Sequence, residues 1–149
     1  MSEHHASISW KRTSADFTYE TYNRVHEWRF AHATVSASAA KEFRGEALGV
    51  NPEEAFVASL SSCHMLTFLA IAARKRLTAD RYDDDAIGFL ERNPAGKQVV
   101  SRVILRPRVV WGVGTNVPME ELGRLHRHSH EECFIANSVN SEVTVEPQA

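Results

Sequence analysis

The chain contains little cysteine, no excess of charge of one sign and no long apolar run. It has two cysteines in 149 residues and no C-x-x-C pair, which argues against a disulfide framework. The net charge of -2 gives no support for binding to nucleic acid or to an anionic membrane. The longest apolar run, near residues 68–73, is too short to span a bilayer, and the first residues lack the apolar segment of a signal peptide. We therefore expect a cytoplasmic protein with no nucleic-acid or membrane partner.

The remaining composition is that of an ordinary globular protein, with 43% hydrophobic and 24% charged residues. A chain of this length fits one domain, residues 1–149, and can bury roughly 68–70% of its unfolded surface. No repeat, low-complexity tract or long linker interrupts it.

Short alternations of polar and apolar residues predict three strands before the first helix. The strands are expected at 8–11, 17–22 and about 28–36, the turns at 12–16 and 23–26, and a glycine-containing loop at 39–50. The aromatic residues of this region are expected to build a core: Trp10, Phe17, Tyr19, Tyr22, Trp28 and Phe30.

The clearest helix starts after this loop. Asn51 is its cap, Pro52 occupies the first position, and Glu54 completes a capping box. The helix is apolar on most sides and ends in the basic run 74–76, so we expect it to be buried at the centre of the fold.

Two strands, a helix and a last strand are predicted after it. Residues 80–92 and 98–111 should form a hairpin around the turn signal at 93–96, with Pro107 marking an edge or a bulge. A second helix at about 118–132 and a strand at 141–145 complete the order β-β-β-α-β-β-α-β, which is an α+β domain.

The two cysteines are the strongest chemical signal. Cys63 lies in the middle of the first helix, and Cys133 lies within or at the end of the second. The reactive form is the thiolate, which a mid-helix cysteine forms only with help from a cation such as Arg24, Arg29 or Arg44. Inert packing of both thiols explains the residues about as well, so the sequence alone leaves the choice open.

Histidines accompany both cysteines. His126, His130 and Cys133 share one helix face, and His64 adjoins Cys63. Such spacing can hold zinc, but a solvated polar face explains it more simply because no second two-ligand motif is present. We therefore predict neither a metal site nor a cofactor.

Two segments resemble the OsmC/Ohr family of osmotically inducible and organic hydroperoxide resistance proteins. The first is E-F-R-G-E-A-L-G-V-N-P-E-E-A-F-V-A-S-L-S-S-C-H-M, with the family's N-P-E helix start and following cysteine. The second, H-E-E-C-F-I-A-N-S-V, is similar to the second cysteine region, although the family often has Cys-Pro there. The resemblance implies an OsmC-like fold, with two central helices wrapped by antiparallel sheets in an intertwined homodimer with active sites at the subunit interface.

The resemblance also implies a cysteine-based peroxidase that acts in defence against oxidative stress. Cys63 would be the peroxidatic thiol and Cys133 the resolving thiol. Glu53 matches the glutamate that anchors the active-site arginine, which is Arg44 by comparison with OsmC-type members and Arg24 by comparison with Ohr-type members.

In that cycle an organic hydroperoxide oxidises Cys63 to a sulfenic acid, Cys133 condenses with it, and an external thiol reduces the disulfide. An apolar wall near Phe56, Leu60 and Phe68 would favour organic substrates over hydrogen peroxide. Two alternatives stay open: a non-enzymatic domain of this fold that binds a small apolar ligand or a metal through its His/Cys cluster, and a structural homodimer with inert cysteines.

Overall fold

A computed structural model describes all residues, Met1–Ala149, and they cluster into two compact units, Met1–Ala55 and Phe56–Ala149. The single domain expected from the chain length, residues 1–149, stays a prediction. The strands are β1 Ser7–Ser9, β2 His26–Arg29, β3 Thr34–Ala37, β4 Ala79–Asp84, β5 Ile87–Arg92, β6 Gln98–Leu105, β7 Pro107–Trp111 and β8 Glu142–Val145. The helices are α1 Pro52–Arg74 and α2 Met119–Glu132, with 3-10 turns at Lys41–Phe43 and Ala136–Ser138.

The first unit is built on a three-stranded antiparallel sheet in the order β1-β2-β3. Trp28 in the central strand pairs with Ile8 on one side and Val35 on the other. After β3 the chain turns back, and Val50 forms a parallel bridge with Ala37 immediately before α1 begins. The predicted number of strands in this region is therefore confirmed.

The predicted positions of these strands are partly wrong. Residues 17–22 form a turn in which the Thr18 carbonyl accepts the N–H groups of Thr21 and Tyr22. Phe17 and Tyr22 pack on each other and on Trp10, with ring centroids 5.5–6.5 Å apart. The alternating aromatics that suggested a strand thus form a local three-ring cluster. The strand predicted at 28–36 is instead two strands, β2 and β3, and the turn predicted at 23–26 ends where β2 starts.

The start of α1 agrees with the sequence. The Glu54 N–H donates to Asn51 Oδ1 at 2.8 Å, and the Asn51 N–H donates to Glu54 Oε2 at 3.1 Å. This reciprocal pair is the expected capping box and satisfies two donors at the helix start.

Within the second unit, α1 packs only one side into the core. Its buried residues join two apolar clusters, one around Phe68 with Leu122 and Leu125 of α2, and one around Leu60 with β6. The opposite side is open, since Leu66 is 60% exposed and its small neighbours are exposed too: Ala58, Ser62 and Ala70. The expectation that α1 is buried on most sides is therefore wrong for this chain by itself.

By length and composition alone, α1 could cross a membrane, which the shorter apolar run in the sequence did not indicate. The core helix of a globular fold meets the same criterion. Because α1 buries Leu60, His64 and Phe68 in the second unit, this property is weak evidence for a membrane span.

The second unit contains an antiparallel pair, β4-β7, and a three-stranded sheet in the order β5-β6-β8. The predicted hairpin is confirmed by the antiparallel β5 and β6, whose turn places Gly96 at a φ of 76°. Each predicted long strand is interrupted, however, and the breaks create two more strands than expected. One break precedes Pro107, where the Arg106 N–H donates to Asp84 Oδ1 at 2.6 Å. The α+β class is confirmed, with β8 joining β6 in parallel.

Candidate functional site

Cys63 and Cys133 lie together in the second unit. Cys63 is half-buried on α1, whereas Cys133 is only 1% exposed; both are free thiols, and they lie near enough to each other to interact. Burial raises the pKa of Cys133 to about 11; the Cys63 thiol adds to the rise, and hydrogen bonds with the backbone of Ala136 and Ile135 oppose it. Cys133 is therefore a neutral thiol at pH 7, next to a partner with which it could form a disulfide.

The chain holds Cys133 in place from both sides. Cys133 ends α2 in an extended conformation, with φ -70° and ψ 114°, and its N–H donates to the carbonyl of His130. Its own carbonyl accepts the Asn137 N–H at 3.0 Å from the 3-10 turn that follows. The predicted position at the end of a helix is confirmed.

A pair of buried histidines links the two helices beside the thiols. His64 Nε2 and His126 Nδ1 are 3.0 Å apart, and the rings are almost parallel, with an interplanar angle of 10°. His126 also stacks on Phe68 at 4.4 Å. Burial lowers the pKa of His64 to about 3, helped by repulsion from His126 and His130, and burial lowers the pKa of His126 to about 4. At pH 7 both rings are neutral, and one donates its N–H to the other.

The histidine and cysteine cluster is not assembled as a metal site. No group of three or more His, Cys, Asp or Glu side chains is arranged to hold a metal ion. His126 and Cys133, which share a helix face, have different partners: His126 bonds to His64, whereas Cys133 lies next to Cys63. The metal-binding alternative therefore lacks its proposed ligand set.

The first unit contains a cavity of about 560 Å³. Its wall combines aromatic rings, small residues and a few polar groups: Trp10, Phe17, Tyr22, Arg24, His26, Ser38, Ala39, Ala40, Phe43, Pro52 and Glu53. The apolar wall expected near Phe56, Leu60 and Phe68 is wrong, because Leu60 and Phe68 are fully buried in the core of the second unit and Phe56 packs against the Leu60 cluster. Three of the aromatics expected in a core, Trp10, Phe17 and Tyr22, line this cavity instead, and Tyr19 and Phe30 are exposed.

Only one of the three candidate arginines lines the cavity. Arg24 lines it and is only 6% exposed; its terminal nitrogens donate to the carbonyls of Tyr19 and Tyr22, both at 2.5 Å, and its Nε has no partner. Arg44 is exposed, has a φ of 62° and does not line the cavity. Arg29 is exposed and pairs with Glu27 at 2.6 Å. Only Arg24 combines burial with access to a cavity.

Glu53 lines the same cavity, and its Oε2 is buried without a hydrogen-bond partner. No ion pair joins Glu53 to Arg24 or to Arg44, so the anchoring contact implied by the resemblance is not formed within this chain. Two residues of the cavity wall, Arg24 and Glu53, thus each carry one buried polar atom without a hydrogen-bond partner. An unpaired buried polar atom is costly, which makes this part of the wall a candidate site for a ligand that both accepts and donates a hydrogen bond.

Sequence reasoning missed the aromatic lining of this cavity and the bond between His64 and His126. The histidine spacing on α2 was a visible signal, but only packing of α2 against α1 pairs His126 with His64. The aromatic spacing at Trp10, Phe17 and Tyr22 was equally visible, and it matched a strand pattern as well as a cluster.

Comparisons with known proteins agree with this geometry. Residues 45–148 match a family model described as OsmC-like protein. An OsmC-like protein of unknown function from Vibrio cholerae is 45% identical, with a TM-score of 0.95 over 99% of this chain and 100% of that chain.

Two structures of lower identity share the fold. An organic hydroperoxide resistance protein OsmC from Legionella pneumophila is 18% identical, with a TM-score of 0.74 over 100% of this chain and 98% of that chain. The organic hydroperoxide resistance protein OhrB of Bacillus subtilis is 16% identical, with a TM-score of 0.69 over 98% of each chain. No curated protein matches the sequence. From the family match and the Vibrio structure together, this chain belongs to the OsmC-like protein family.

Proposed function

We propose that this chain is a cytoplasmic thiol peroxidase that reduces organic hydroperoxides in defence against oxidative stress. The observation that carries the proposal is the contact between two free thiols, Cys63 on α1 and Cys133 at the end of α2. Family membership supports it at a coarser level, because proteins of this fold from Legionella and Bacillus are organic hydroperoxide resistance proteins.

The reaction begins at Cys63. Its thiolate attacks the terminal oxygen of R–O–O–H, the O–O bond breaks, and the alkoxide leaves as an alcohol after taking a proton, so that Cys63 becomes a sulfenic acid. The sulfur of Cys133 then displaces the hydroxide, which leaves as water with the proton of the Cys133 thiol, and a disulfide forms. Two equivalents of an external thiol reduce the disulfide and complete the cycle.

The cavity of the first unit is the proposed peroxide site. A hydroperoxide accepts a hydrogen bond at oxygen and donates one through its O–H, which matches the guanidinium of Arg24 and the carboxylate of Glu53 in the cavity wall. The rings of Trp10, Phe17 and Phe43 would surround an apolar organic group. This lining supports a preference for organic hydroperoxides over hydrogen peroxide.

A second copy of the chain would complete the site. Glu53 and Cys63 are ten positions apart on the same helix, which places them about 15 Å apart along its axis, too far for one hydroperoxide group to meet both. The open side of α1, with Leu66 60% exposed and small residues around it, suits packing against another copy. In the proposed homodimer, the cavity of one copy receives Cys63 of the other.

Mass spectrometry of the intact protein tests the cycle. After one equivalent of cumene hydroperoxide, the reduced protein is expected to lose about two mass units, the two hydrogens given up when a disulfide forms. Glu42→Gln, at an exposed position outside the cavity and outside α1, is the control and should lose the same mass. An unchanged mass, or slow gains of about sixteen units on methionines, would contradict the proposal. If the protein nevertheless bound cumyl alcohol, the non-enzymatic alternative would replace it.

Replacement of the two candidate arginines should give unequal effects. Arg24→Gln is expected to lower kcat/KM for cumene hydroperoxide by about a hundredfold, because it removes a buried donor in the cavity. Arg44→Gln should stay within about twofold of wild type, because Arg44 is exposed outside the cavity. Steady-state kinetics with a dithiol reductant measure both. A larger loss for Arg44→Gln would reverse the assignment.

Mixed subunits provide the control for these variants. Co-refolded Arg24→Gln and Cys63→Ser subunits should regain activity that neither has alone, because one site of each mixed dimer would combine Arg24 of one copy with Cys63 of the other. Without such recovery, the shared site is wrong. Glu53→Gln should lower the activity without lowering the stability of the fold, because the buried Oε2 has no hydrogen-bond partner that the substitution would remove.

A further inference from the structure

Glu46 is a second acidic residue close to Arg24, and the reaction described above gives it no role. Its Oε1 accepts the backbone N–H of Arg24 at 3.0 Å, and its Oε2 accepts the Ser38 hydroxyl at 2.5 Å. The Glu46 N–H in turn donates to Ser38 Oγ at 3.0 Å. No cation forms an ion pair with Glu46, so neutral donors alone hold this carboxylate.

Ser38 connects Glu46 to a second segment of the cavity wall. It is 0% exposed, lines the cavity together with Arg24, and donates its backbone N–H to the Val50 carbonyl at 3.0 Å. Arg24 precedes β2 and Ser38 follows β3, so the Glu46 carboxylate ties two wall segments that are separate in sequence. Loss of either hydrogen bond would release one segment from the other.

Backbone packing leaves the loop around Glu46 no room to shift. A Cβ on Gly45 would lie 1.6 Å from the carbonyl oxygen of Ala39, and one on Gly49 would lie 2.7 Å from the carbonyl carbon of Ala37. Only glycine permits such close approach. The loop therefore lies directly against the chain that forms the cavity wall, and the position of Glu46 is fixed by contacts on both sides.

The charge state of Glu46 agrees with its contacts. Burial acts to raise its pKa, but the hydrogen bonds from Ser38 and from the backbone N–H groups of Arg24, Glu46 and Val25 hold the pKa below its usual value. At pH 7 Glu46 is ionised and can accept both hydrogen bonds at once.

We infer that Glu46 is a positioning residue that fixes Arg24 in the cavity wall; this rests on the proposed function. The side chain of Arg24 is held by the carbonyls of Tyr19 and Tyr22, and its main chain is held by Glu46. With the side chain and the backbone both fixed, the guanidinium keeps one position. Preorganised donors of this kind need no rearrangement when a substrate binds.

Glu46→Gln tests this inference. Glutamine keeps the size of the side chain but has one acceptor and one donating NH2 group, so it cannot accept from both Ser38 and Arg24. The expected result is a loss in kcat/KM for cumene hydroperoxide of about tenfold or more. In an Arg24→Gln background, the same change should cost less than about twofold, because it acts through Arg24. Glu42→Gln, at an exposed position in the preceding 3-10 turn, is the matched control.

A second readout does not depend on peroxidase activity. Phenylglyoxal labelling of Arg24, followed by mass spectrometry, should be slow in wild type and several-fold faster in Glu46→Gln. If wild type has no turnover, the proposed function fails, and the labelling rate alone then decides the role of Glu46. Equal labelling, or equal losses of activity with and without Arg24, would overturn the inference. If Glu46→Gln does not fold, Ser38→Ala provides a second comparison, because it removes both hydrogen bonds between Ser38 Oγ and Glu46 and keeps the Glu46 carboxylate.

Discussion

Replacing Cys63 with serine is expected to lower kcat/KM for cumene hydroperoxide by at least about three orders of magnitude. The hydroxyl of serine does not ionise at neutral pH, so it cannot attack the peroxide. Its oxygen cannot form a sulfenic acid, so Cys133 has nothing to condense with. Coupled assays with a dithiol reductant measure the turnover. Glu42→Gln, at an exposed position outside the cavity and outside α1, should keep wild-type activity within about twofold.

Cys133→Ser should fail in a different way. The first turnover proceeds, because the peroxide reacts with Cys63, but no thiol is then in contact to condense with the sulfenic acid. Excess peroxide should therefore add oxygen to Cys63 in steps of about sixteen mass units. Retention of full activity by Cys63→Ser would remove the peroxidase proposal altogether. Retention by Cys133→Ser without over-oxidation would show that the external thiol resolves Cys63 directly.

The sequence predicted best those elements whose causes are local. The start of α1 at Pro52 was predictable because Asn51 and Glu54 satisfy each other's backbone donors within four residues of chain. The turn at Gly96 was predictable because glycine takes a positive φ without strain. In both cases the residues that determine the structure are also neighbours in sequence.

Where tertiary packing decides, the same patterns misled. An alternation of aromatics at Phe17 and Tyr22 favours a strand, but ring packing with Trp10 stabilises a turn there. The segment 98–111 has a continuous strand pattern, yet it breaks before Pro107, where Asp84 captures the Arg106 N–H. These outcomes depend on residues 7 to 22 positions away, which a local pattern does not contain.

The candidate site shows the same division. The resemblance identified Cys63 and Cys133 as a pair, and the structure places their thiols close together. It left Arg24 and Arg44 as alternatives, because OsmC-type members have the arginine shortly before the helix and Ohr-type members have it in the first hairpin. Burial separates them: Arg24 is held in the cavity wall by two carbonyls, whereas Arg44 is exposed at a left-handed turn and does not line the cavity.

Mild acid is expected to destabilise the second unit through its buried histidines. Unfolded histidine titrates near 6.5, whereas the pKa values in the fold are about 3 for His64 and about 4 for His126. Between these limits the unfolded chain binds more protons, so the stabilisation is complete above pH 6.5 and is lost as the pH falls below it. We expect the free energy of unfolding to be lower at pH 5 than at pH 7, by about 2 kcal/mol for each of the two histidines. Urea unfolding at the two pH values measures the difference.

His128 provides the matched control, because it lies on the same helix but is exposed. His128→Gln should leave the pH dependence of the unfolding free energy unchanged, and the double change His64→Leu with His126→Leu should remove most of it above pH 5. If the hydrogen bond between the rings aligns α1 with α2, the leucine variant should have a lower free energy of unfolding at pH 7. Disulfide formation between Cys63 and Cys133 should then also be slower in that variant. An unchanged slope in that variant would mean that folding does not keep these two rings neutral. Two protonated rings repel each other and offer no acceptor, so the hydrogen bond between the rings could not then be what aligns the two thiols.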